Sequence, residues 1–277
     1  MKTKYFYGYN IVAAGFAIQA VSIGALFAYG WRSSCFIIGV AALAALVAVA
    51  QVMRRDPQSV GLLPDDGNGL PAGAACTTDD CSLSLREASR RREFWTLCVA
   101  EFAVFFCLLT MVVHIVPHAR DLGLPPTTAA GVLSTIGGVS MLGRITIGTM
   151  NDRIGGKRSL ITCFIILVCG LVWLQLSHAS WMLFLFAIIY GFAHGGLFTV
   201  MSPTVAELFG TGSHGLLFGM VLFSGTLGGA IGPLMAGRIF DLTGSYQLVF
   251  LILTAMALVG FILIATLRPP VRDTGRI

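Results

Sequence analysis

The sequence predicts an all-α transmembrane protein. Of its 277 residues, 56% are hydrophobic and 11% are charged, whereas an ordinary soluble domain carries about 25% charged residues. The apolar residues are also gathered into runs long enough for a helix to cross a bilayer core of about 30 Å. Together these observations exclude a soluble globular fold, a secreted disulfide-rich domain and a disordered chain.

Eight apolar runs predict eight membrane-spanning helices. A span needs roughly 20 residues because a helix rises about 1.5 Å per residue. The first run is longer than the core of a signal peptide, about 7 to 15 residues, so we expect it to be retained as a span. The runs comprise residues 11–29, 35–53, 94–116, 129–150, 160–176, 181–202, 216–236 and 248–267.

The basic residues indicate which side of the membrane each loop faces. If the N-terminus is cytoplasmic, most of the 18 Lys and Arg residues lie in cytoplasmic segments, as the positive-inside rule requires. We therefore expect a multi-pass protein of the cell inner (plasma) membrane with both termini in the cytoplasm. The net charge of +5 is then a signal of topology, and no nucleic-acid partner is expected.

A long polar segment divides the chain unevenly. Residues 54–93 are rich in proline and glycine and predict a cytoplasmic linker. The linker separates a two-span segment, residues 1–53, from a six-span segment, residues 94–277. Cys76 and Cys81 in the linker lack a matching Cys or His pair, so we expect reduced thiols and no metal site.

Glycines are concentrated in the predicted spans. Lipid is as apolar as leucine, so helices in a membrane associate through close backbone contact and a few polar links. In the seventh run, Gly225 and Gly229 are four residues apart, as are Gly228 and Gly232, which predicts a packing face of small residues. Pro233 removes a backbone hydrogen bond and predicts a bend in that helix.

Two charged residues lie inside predicted spans. An ionisable side chain at membrane depth costs at least about 2.5 kcal/mol, so each one is a functional candidate. Glu101 and Arg144 lie about 10 and 9 Å from the same end of their runs. We hypothesise that they form, or alternate in, an ion pair, and that Arg144 binds an anionic substrate through its guanidinium. The alternative for Arg144 is a side chain that extends to the cytoplasmic headgroups.

Histidines provide further candidates. His114 and His118 are four residues apart at the outer end of the third run, where a reference pKa of about 6.5 permits a response to external pH. A metal site there lacks a third ligand and is not expected. His194 lies among glycines, so it either bonds across a helix contact or lines a cavity. No nucleophile–base motif or phosphate-binding glycine loop is present, so we expect neither an enzyme nor a cofactor.

The loop between the fourth and fifth runs reads GRITIGTMNDRIGGKR from residue 143 to residue 158. It resembles the signature loop of the major facilitator superfamily, G-x-x-x-D-R-x-G-x-[KR]. The matching residues are Gly148, Asp152, Arg153, Gly155 and Lys157. A carboxylate such as that of Asp152 can accept from a neighbouring helix N-terminus, and the resemblance implies that this loop gates the conformational change. Gly156 departs from the basic residue more common at its position.

Other segments resemble bacterial oxalate/formate antiporter-like and monocarboxylate-porter-like members of that superfamily. Residues 5–29 resemble their first span, residues 30–64 resemble their sixth span and its exit, and the last six runs resemble their whole C-terminal half. The resemblance therefore implies an eight-helix bundle with a complete C-terminal half and a depleted N-terminal half. Family spans 2 to 5 are missing, with the junction near Gly30 and Trp31.

The resemblance also implies a function, the transport of small organic anions by alternating access. In the family, an Arg at the position of Arg144 contributes to carboxylate binding, and Ser140 stands where some monocarboxylate porters have Asp. Together with His194, these two residues form the expected substrate site. The seventh run lacks the Lys of oxalate exchangers, which favours a monocarboxylate. Glu101 and His114 are the candidates for proton coupling.

Two rival classes remain at this point. One is a transport-inactive membrane protein, either a deletion remnant or an interaction subunit that borrows helices from another copy and so self-associates. The other is a pH sensor that uses His114 and His118 without any flux.

Overall fold

The computed structural model describes residues 85–267 and six separate positions between residues 36 and 47. The chain divides into two compact units, Met1–Ala75 and Cys76–Ile277. In the first unit the described positions are all helical and lie in the predicted run 35–53; they are Phe36, Gly39, Val40, Leu43, Ala44 and Val47. The run 11–29, the junction at Gly30 and Trp31, and Cys76 and Cys81 lie outside the described residues.

In the second unit the described residues form seven helices and no strand. They are α1 (Leu85–Ala88), α2 (Arg92–Asp121), α3 (Pro126–Ile154), α4 (Gly156–Gln175), α5 (Ser180–Phe209), α6 (His214–Thr243) and α7 (Gln247–Thr266). The last six are long and apolar enough to cross a membrane. They confirm the six spans predicted after the linker.

The helices are longer than several of the apolar runs that predicted them. α2 begins at Arg92 and α3 ends at Ile154, because backbone hydrogen bonding continues past the apolar zone into polar residues. The last part of the predicted linker is also helical, since it contains α1 and the start of α2. We call the end of the bundle where α2 begins the Arg92 end, and the other the Tyr246 end.

The six long helices form two similar triplets. α2, α3 and α4 have 30, 29 and 20 residues, and α5, α6 and α7 have 30, 30 and 20. α2 packs most extensively on α6, and α5 packs most extensively on α3; α4 also packs on α5, α7 on α2, and α4 on α7. The same set of contacts results if α2, α3 and α4 are exchanged with α5, α6 and α7 in that order. Because each triplet has an odd number of spans, the second is inverted in the membrane relative to the first.

The seam between α2 and α6 depends on the glycines of the seventh run. All four glycines of the predicted packing face are buried against α2, which confirms that prediction. A Cβ atom on Gly228 would collide with the backbone carbonyl of Phe102, and one on Gly232 would lie 2.7 Å from the carbonyl oxygen of Phe106. α6 continues as one helix through Pro233.

The seam between α3 and α5 has the same character. A Cβ atom on Gly195 would collide with the carbonyl oxygen of Ser140, and one on Gly143 would collide with that of Phe192. The two backbones therefore approach too closely for any side chain to lie between them at these points. Gly138 on α3 is instead exposed, and a Cβ atom there would meet nothing within 4 Å.

We predict that Gly195→Ala destabilises the bundle and Gly138→Ala does not. The first methyl group enters the α3–α5 seam, where overpacking costs about 1 to 3 kcal/mol. The second enters open space and gains up to about 1 kcal/mol of helix propensity. Thermal unfolding of the purified protein in one detergent provides the measurement. Equal melting temperatures for the two variants would contradict the close seam.

Candidate functional site

Arg144 lies deep in the span formed by α3. It is about 15 Å from the end of the helix at Ile154 and about 9 Å from the end of the apolar run at Met150. Its side chain is exposed, and its Cζ atom lies 5.7 Å from the centroid of the Phe198 ring on α5. This distance permits a cation–π contact. The cation is thus held against α5 while its outer side stays open.

Aromatic rings continue from Arg144 across the neighbouring helices. On α5, Tyr190, His194 and Phe198 follow one another at intervals of four residues, with ring centroids 6.1 and 5.1 Å apart. The ring of Phe105 on α2 lies 5.2 Å from that of Phe198. We call Arg144, Phe198, His194 and Phe105 the Arg144 cluster. It combines one cation with an apolar wall, which suits an anion with an organic tail.

The position of α5 beside the cluster is fixed by Tyr190. Its hydroxyl group is fully buried and donates to the carbonyl oxygen of Leu108 on α2 at 3.1 Å. His194, one turn further along, has a buried Nδ1 atom without a hydrogen-bond partner. The Nδ1 atom of His194 therefore makes no hydrogen bond across the helix contact in this structure.

Glu101 is buried at the seam between α2 and α6. It is 3% exposed, and its Oε2 atom has no hydrogen-bond partner. A Cβ atom on Gly225 would lie 2.9 Å from the Cγ atom of Glu101. The hypothesised ion pair with Arg144 is wrong for this conformation. The two residues lie at similar depth, but Glu101 packs against α6 and Arg144 packs against α5.

Ser140 lies one turn from Arg144 but does not face the cluster. Its side chain is 6% exposed, and its hydroxyl group donates to the carbonyl oxygen of Gly137 at 2.8 Å. Its own carbonyl oxygen packs against Gly195. In this structure Ser140 therefore belongs to the α3–α5 seam.

His114 is held at the Tyr246 end, away from the cluster. Its Nε2 atom lies 3.0 Å from the carbonyl oxygen of Pro233, and its Nδ1 atom lies 3.2 Å from the hydroxyl group of Tyr246. Burial raises the pKa of the Tyr246 phenol, and the carboxylates of Asp121 and Asp241 raise it further. Since a carbonyl oxygen can only accept, Nε2–H of His114 donates to the carbonyl oxygen of Pro233.

His118 lines a separate cavity of about 210 Å³ at the same end. Its ring centroid lies 5.6 Å from that of Tyr246 and 4.8 Å from that of Phe250. Its Nε2 atom is buried without a hydrogen-bond partner. Within residues 85–267, no three His, Cys, Asp or Glu side chains are grouped as metal ligands.

The signature loop is a tight turn that Glu207 on α5 stabilises. Gly155 has a φ of +81°, the left-handed region that favours glycine. The backbone N–H of Gly156 donates to the Oε2 atom of Glu207 at 3.0 Å. A Cβ atom on Gly156 would collide with the hydroxyl group of Thr204. Glycine at position 156, the departure from the family motif, is therefore required by the packing.

Glu207 is the acceptor at the N-terminus of α4, while the acceptor role expected of Asp152 at the N-terminus of a neighbouring helix stays a prediction. Asp152 and Arg153 are exposed on the last turn of α3, and Lys157 is half-buried on the first turn of α4. A Cβ atom on Gly148 would make ordinary contact with Thr199, 3.4 Å from its methyl carbon. The loop is thus joined to α5 by Glu207, and its charged motif residues face outward.

Sequence reasoning missed Glu207, Tyr190, Phe198 and Phe105. The four-residue spacing of Tyr190, His194 and Phe198 was a usable signal, since it places three rings on one face of a helix. No comparable signal indicated Glu207, because its partner is a backbone group on another helix.

The sequence model of the Major Facilitator Superfamily matches residues 8–148 and 117–276. The chain therefore belongs to this family and is a multi-pass membrane protein.

Similar proteins include several named transporters. Monocarboxylate transporter 13 of Rattus norvegicus is 27% identical over 285 residues, which cover 96% of this chain and 61% of that protein. Monocarboxylate transporter 12 of Mus musculus is 24% identical over 299 residues, with 97% and 62% covered. The uncharacterized MFS-type transporter YcxA of Bacillus subtilis (strain 168) is 23% identical over 236 residues, with 79% and 52% covered.

A solved structure has the same fold. The E. coli fucose:proton symporter superposes with a TM-score of 0.60 at 16% sequence identity, covering 84% of this chain and 54% of that chain. This chain spans 61% and 62% of the two monocarboxylate transporters named above. The alignment with the rat protein extends over 285 residues and covers 96% of this chain, so it contains no gap as long as four membrane spans.

We predict that Glu207→Ala lowers the melting temperature more than Asp152→Ala does. The first change removes the acceptor for the N–H of Gly156 and costs about 0.5 to 1.5 kcal/mol at this exposed position. The second removes a carboxylate for which the structure shows no partner. Differential scanning fluorimetry of both variants in one detergent makes the comparison. A larger loss for Asp152→Ala would restore the motif carboxylate as the acceptor.

Proposed function

We propose that this protein transports small organic anions, monocarboxylates above all, by alternating access. The observation that supports this most directly is Arg144, an exposed guanidinium at membrane depth beside an aromatic wall. A guanidinium binds a carboxylate through two parallel hydrogen bonds, and the rings of Phe198 and Phe105 suit a short apolar tail. The names of the two monocarboxylate transporters agree with this substrate class.

Two residues near Arg144 have supporting roles in the proposal. His194 faces the substrate, because its Nδ1 atom is buried beside Phe198 without a partner. Ser140 acts from within the α3–α5 seam, where its carbonyl oxygen packs on Gly195 and so sets how closely α5 approaches Arg144. Ser140 contacts substrate directly only in a conformation that opens this seam.

Glu101 is the proposed carrier of the coupled proton. A carboxylate that is buried without a partner is costly at membrane depth, so the protonated form is favoured until water or a cation reaches it. The close contact with Gly225 makes that access dependent on movement between α2 and α6. His114 is the second proposed proton site, because its Nδ1 atom lies 3.2 Å from the hydroxyl group of Tyr246, a group that can both donate and accept.

The signature loop is the proposed gate at the Arg92 end. Gly155 supplies the hinge between α3 and α4, and Gly148 lies in the last turns of α3. The charged side chains of the loop contact the N-terminal half as it moves in the proposed cycle; they are Asp152, Arg153 and Lys157. This basic end is placed in the cytoplasm, with both termini on that side and the chain in the inner (plasma) membrane.

The proposed architecture is an eight-helix bundle with a depleted N-terminal half; the rat alignment, which has no gap as long as four spans, argues against an internal loss of spans 2 to 5 at Gly30 and Trp31. The six long helices form the complete C-terminal half, and the runs 11–29 and 35–53 form the depleted N-terminal half. The competing function is a transport-inactive membrane protein. A folded chain that gives no flux in liposomes would support it.

We predict that Arg144→Ala weakens lactate uptake into proteoliposomes about tenfold to a hundredfold, because a charge-assisted hydrogen-bond pair is lost. Arg144→Lys keeps the charge but not the bidentate geometry, and recovers part of the uptake. Arg120→Ala, at the exposed end of α2, is the matched control and transports as the unchanged protein does. Equal uptake by Arg144→Ala and the control would refute the proposed role of Arg144.

We predict that Glu101→Gln abolishes lactate accumulation driven by a pH gradient but preserves lactate–lactate exchange at equal pH. The amide retains the shape of the protonated acid but cannot release a proton. Glu93→Gln, on the first turn of the same helix, is the control and retains both activities. Gradient-driven accumulation that survives in Glu101→Gln would assign proton coupling to another group.

A further inference from the structure

The cavity of about 210 Å³ at the Tyr246 end is separate from the Arg144 cluster, since no residue of that cluster lines it. We call it the His118 cavity. Its lining comes from the ends of α2, α4, α6 and α7 and from the segments that join them. The proposed transport uses none of this lining except the hydroxyl group of Tyr246, which lies beside His114.

Three helices end at the His118 cavity. α2 ends at Asp121, α4 at Gln175 and α6 at Thr243, and residues at or next to each of these ends line the cavity. The last turn of a helix presents carbonyl oxygens without intrahelical donors and carries about half a negative charge. Because only one helix, α7, begins at the cavity, the helix ends leave an excess of negative partial charge there.

The formal charge of the lining has the same sign. Within residues 85–267, Asp121 lines the cavity and no Lys or Arg does; Arg120 and Arg238 are exposed elsewhere at this end. Histidine is ordinarily neutral at pH 8. Burial raises the pKa of the Tyr246 phenol most, and the carboxylates of Asp121 and Asp241 raise it further. Their negative field therefore reaches the cavity wall.

Two polar side chains of the lining offer acceptors. The hydroxyl group of Ser177 donates to the carbonyl oxygen of Trp173 at 2.9 Å, so it can only accept from a ligand. The Nε2 atom of Gln175 donates to the hydroxyl oxygen of Thr254 at 3.0 Å, which leaves the amide oxygen as an acceptor. A ligand that donates several hydrogen bonds matches these groups.

One wall of the His118 cavity is aromatic. The rings of Phe240, Tyr246 and Phe250 form a stacked column, with successive centroids 4.4 and 6.0 Å apart. The ring of His118 meets Tyr246 and Phe250 edge-on. Such a wall suits a short hydrocarbon group better than a fully hydrated ion. The volume is below the range of about 300 to 1,000 Å³ typical for drug-sized ligands, so the ligand is small.

We propose that the His118 cavity binds a small organic cation, an ammonium group that carries a short hydrocarbon tail. The ammonium group lies beside the carboxylate of Asp121 and the carbonyl oxygens at the ends of α2, α4 and α6, and its three N–H groups donate to acceptors there. The tail lies against the ring column. Since α2 and α4 belong to one triplet and α6 and α7 to the other, the bound cation joins the two triplets at the Tyr246 end.

The first experiment compares solutes on the unchanged full chain. Propylammonium, propanol and ammonium share a tail or a charge, and each is added to the protein in an uncharged detergent at pH 8 and constant ionic strength. We expect propylammonium, at ten times its dissociation constant, to raise the melting temperature by about 3 to 5 °C, because it binds the folded state alone. Propanol gives no rise and ammonium a smaller one.

Each comparison can contradict one part of the proposal. Equal shifts from propylammonium and propanol would overturn the binding of a cation. Equal shifts from propylammonium and ammonium would overturn the organic tail.

The second experiment locates the site by calorimetric titration with propylammonium. Asp121→Asn keeps the size of the side chain and removes its charge, so we expect the affinity to fall about threefold to tenfold. Glu93→Gln removes one charge at the Arg92 end and serves as the matched control, with unchanged affinity. Unfolding without solute establishes that both variants are folded. Equal affinities for Asp121→Asn and the unchanged chain would overturn the site.

Arg144→Ala separates this cavity from the proposed transport. We expect the variant to bind propylammonium as the unchanged chain does, because Arg144 lies outside the His118 cavity. Loss of binding in Arg144→Ala would overturn the assignment to this cavity. The titration does not involve lactate, so failure of the proposed transport leaves the result unaffected.

Discussion

The close contact between glycine-bearing backbones is the constraint on which the rest of this bundle depends. Helices in lipid gain nothing by hiding apolar side chains from water, so they must gain contact by approaching closely. Gly195 against Ser140, and Gly228 against Phe102, bring two pairs of helices to distances that exclude a side chain. These contacts fix both the depth and the rotation of α3 and α6, and so determine which residues face inward.

The chemistry of the candidate site follows from this packing. Gly143 is in the α3–α5 seam, so the next residue, Arg144, must lie at its edge, where it contacts Phe198 and remains exposed. Gly225 is in the α2–α6 seam and holds Glu101 out of solvent in the same way. The two charged groups are therefore controlled by different seams. The surroundings of Glu101 therefore depend on the α2–α6 contact, and those of Arg144 depend on the α3–α5 contact.

The sequence was sufficient for the six long spans, because an uninterrupted apolar run of about 20 residues has few alternatives to a membrane helix. It also predicted the small-residue face of α6 from its four-residue spacing.

The sequence could not predict which helix each face contacts. Glu101 and Arg144 lie at similar depths, which suggested that they form a pair. The rotation of each helix about its axis instead directs Glu101 to α6 and Arg144 to α5. The acceptor at the N-terminus of α4 is Glu207, which reaches the backbone N–H of Gly156 only through the fold, so no local pattern indicated it. The local sequence pattern determines where helices form. Which side chains then contact each other depends on packing between segments that are distant in the sequence.

The two triplets suggest how these seams work together. The α3–α5 and α2–α6 seams occupy equivalent places in the internal repeat, and each joins one helix of the first triplet to one of the second. A rotation of one triplet against the other therefore strains both seams at once. Tyr190 resists such movement through its bond to Leu108 between α5 and α2, and Glu207 resists it at the Arg92 end by tying α5 to α4. The six-helix unit is consequently braced at its centre and at one end.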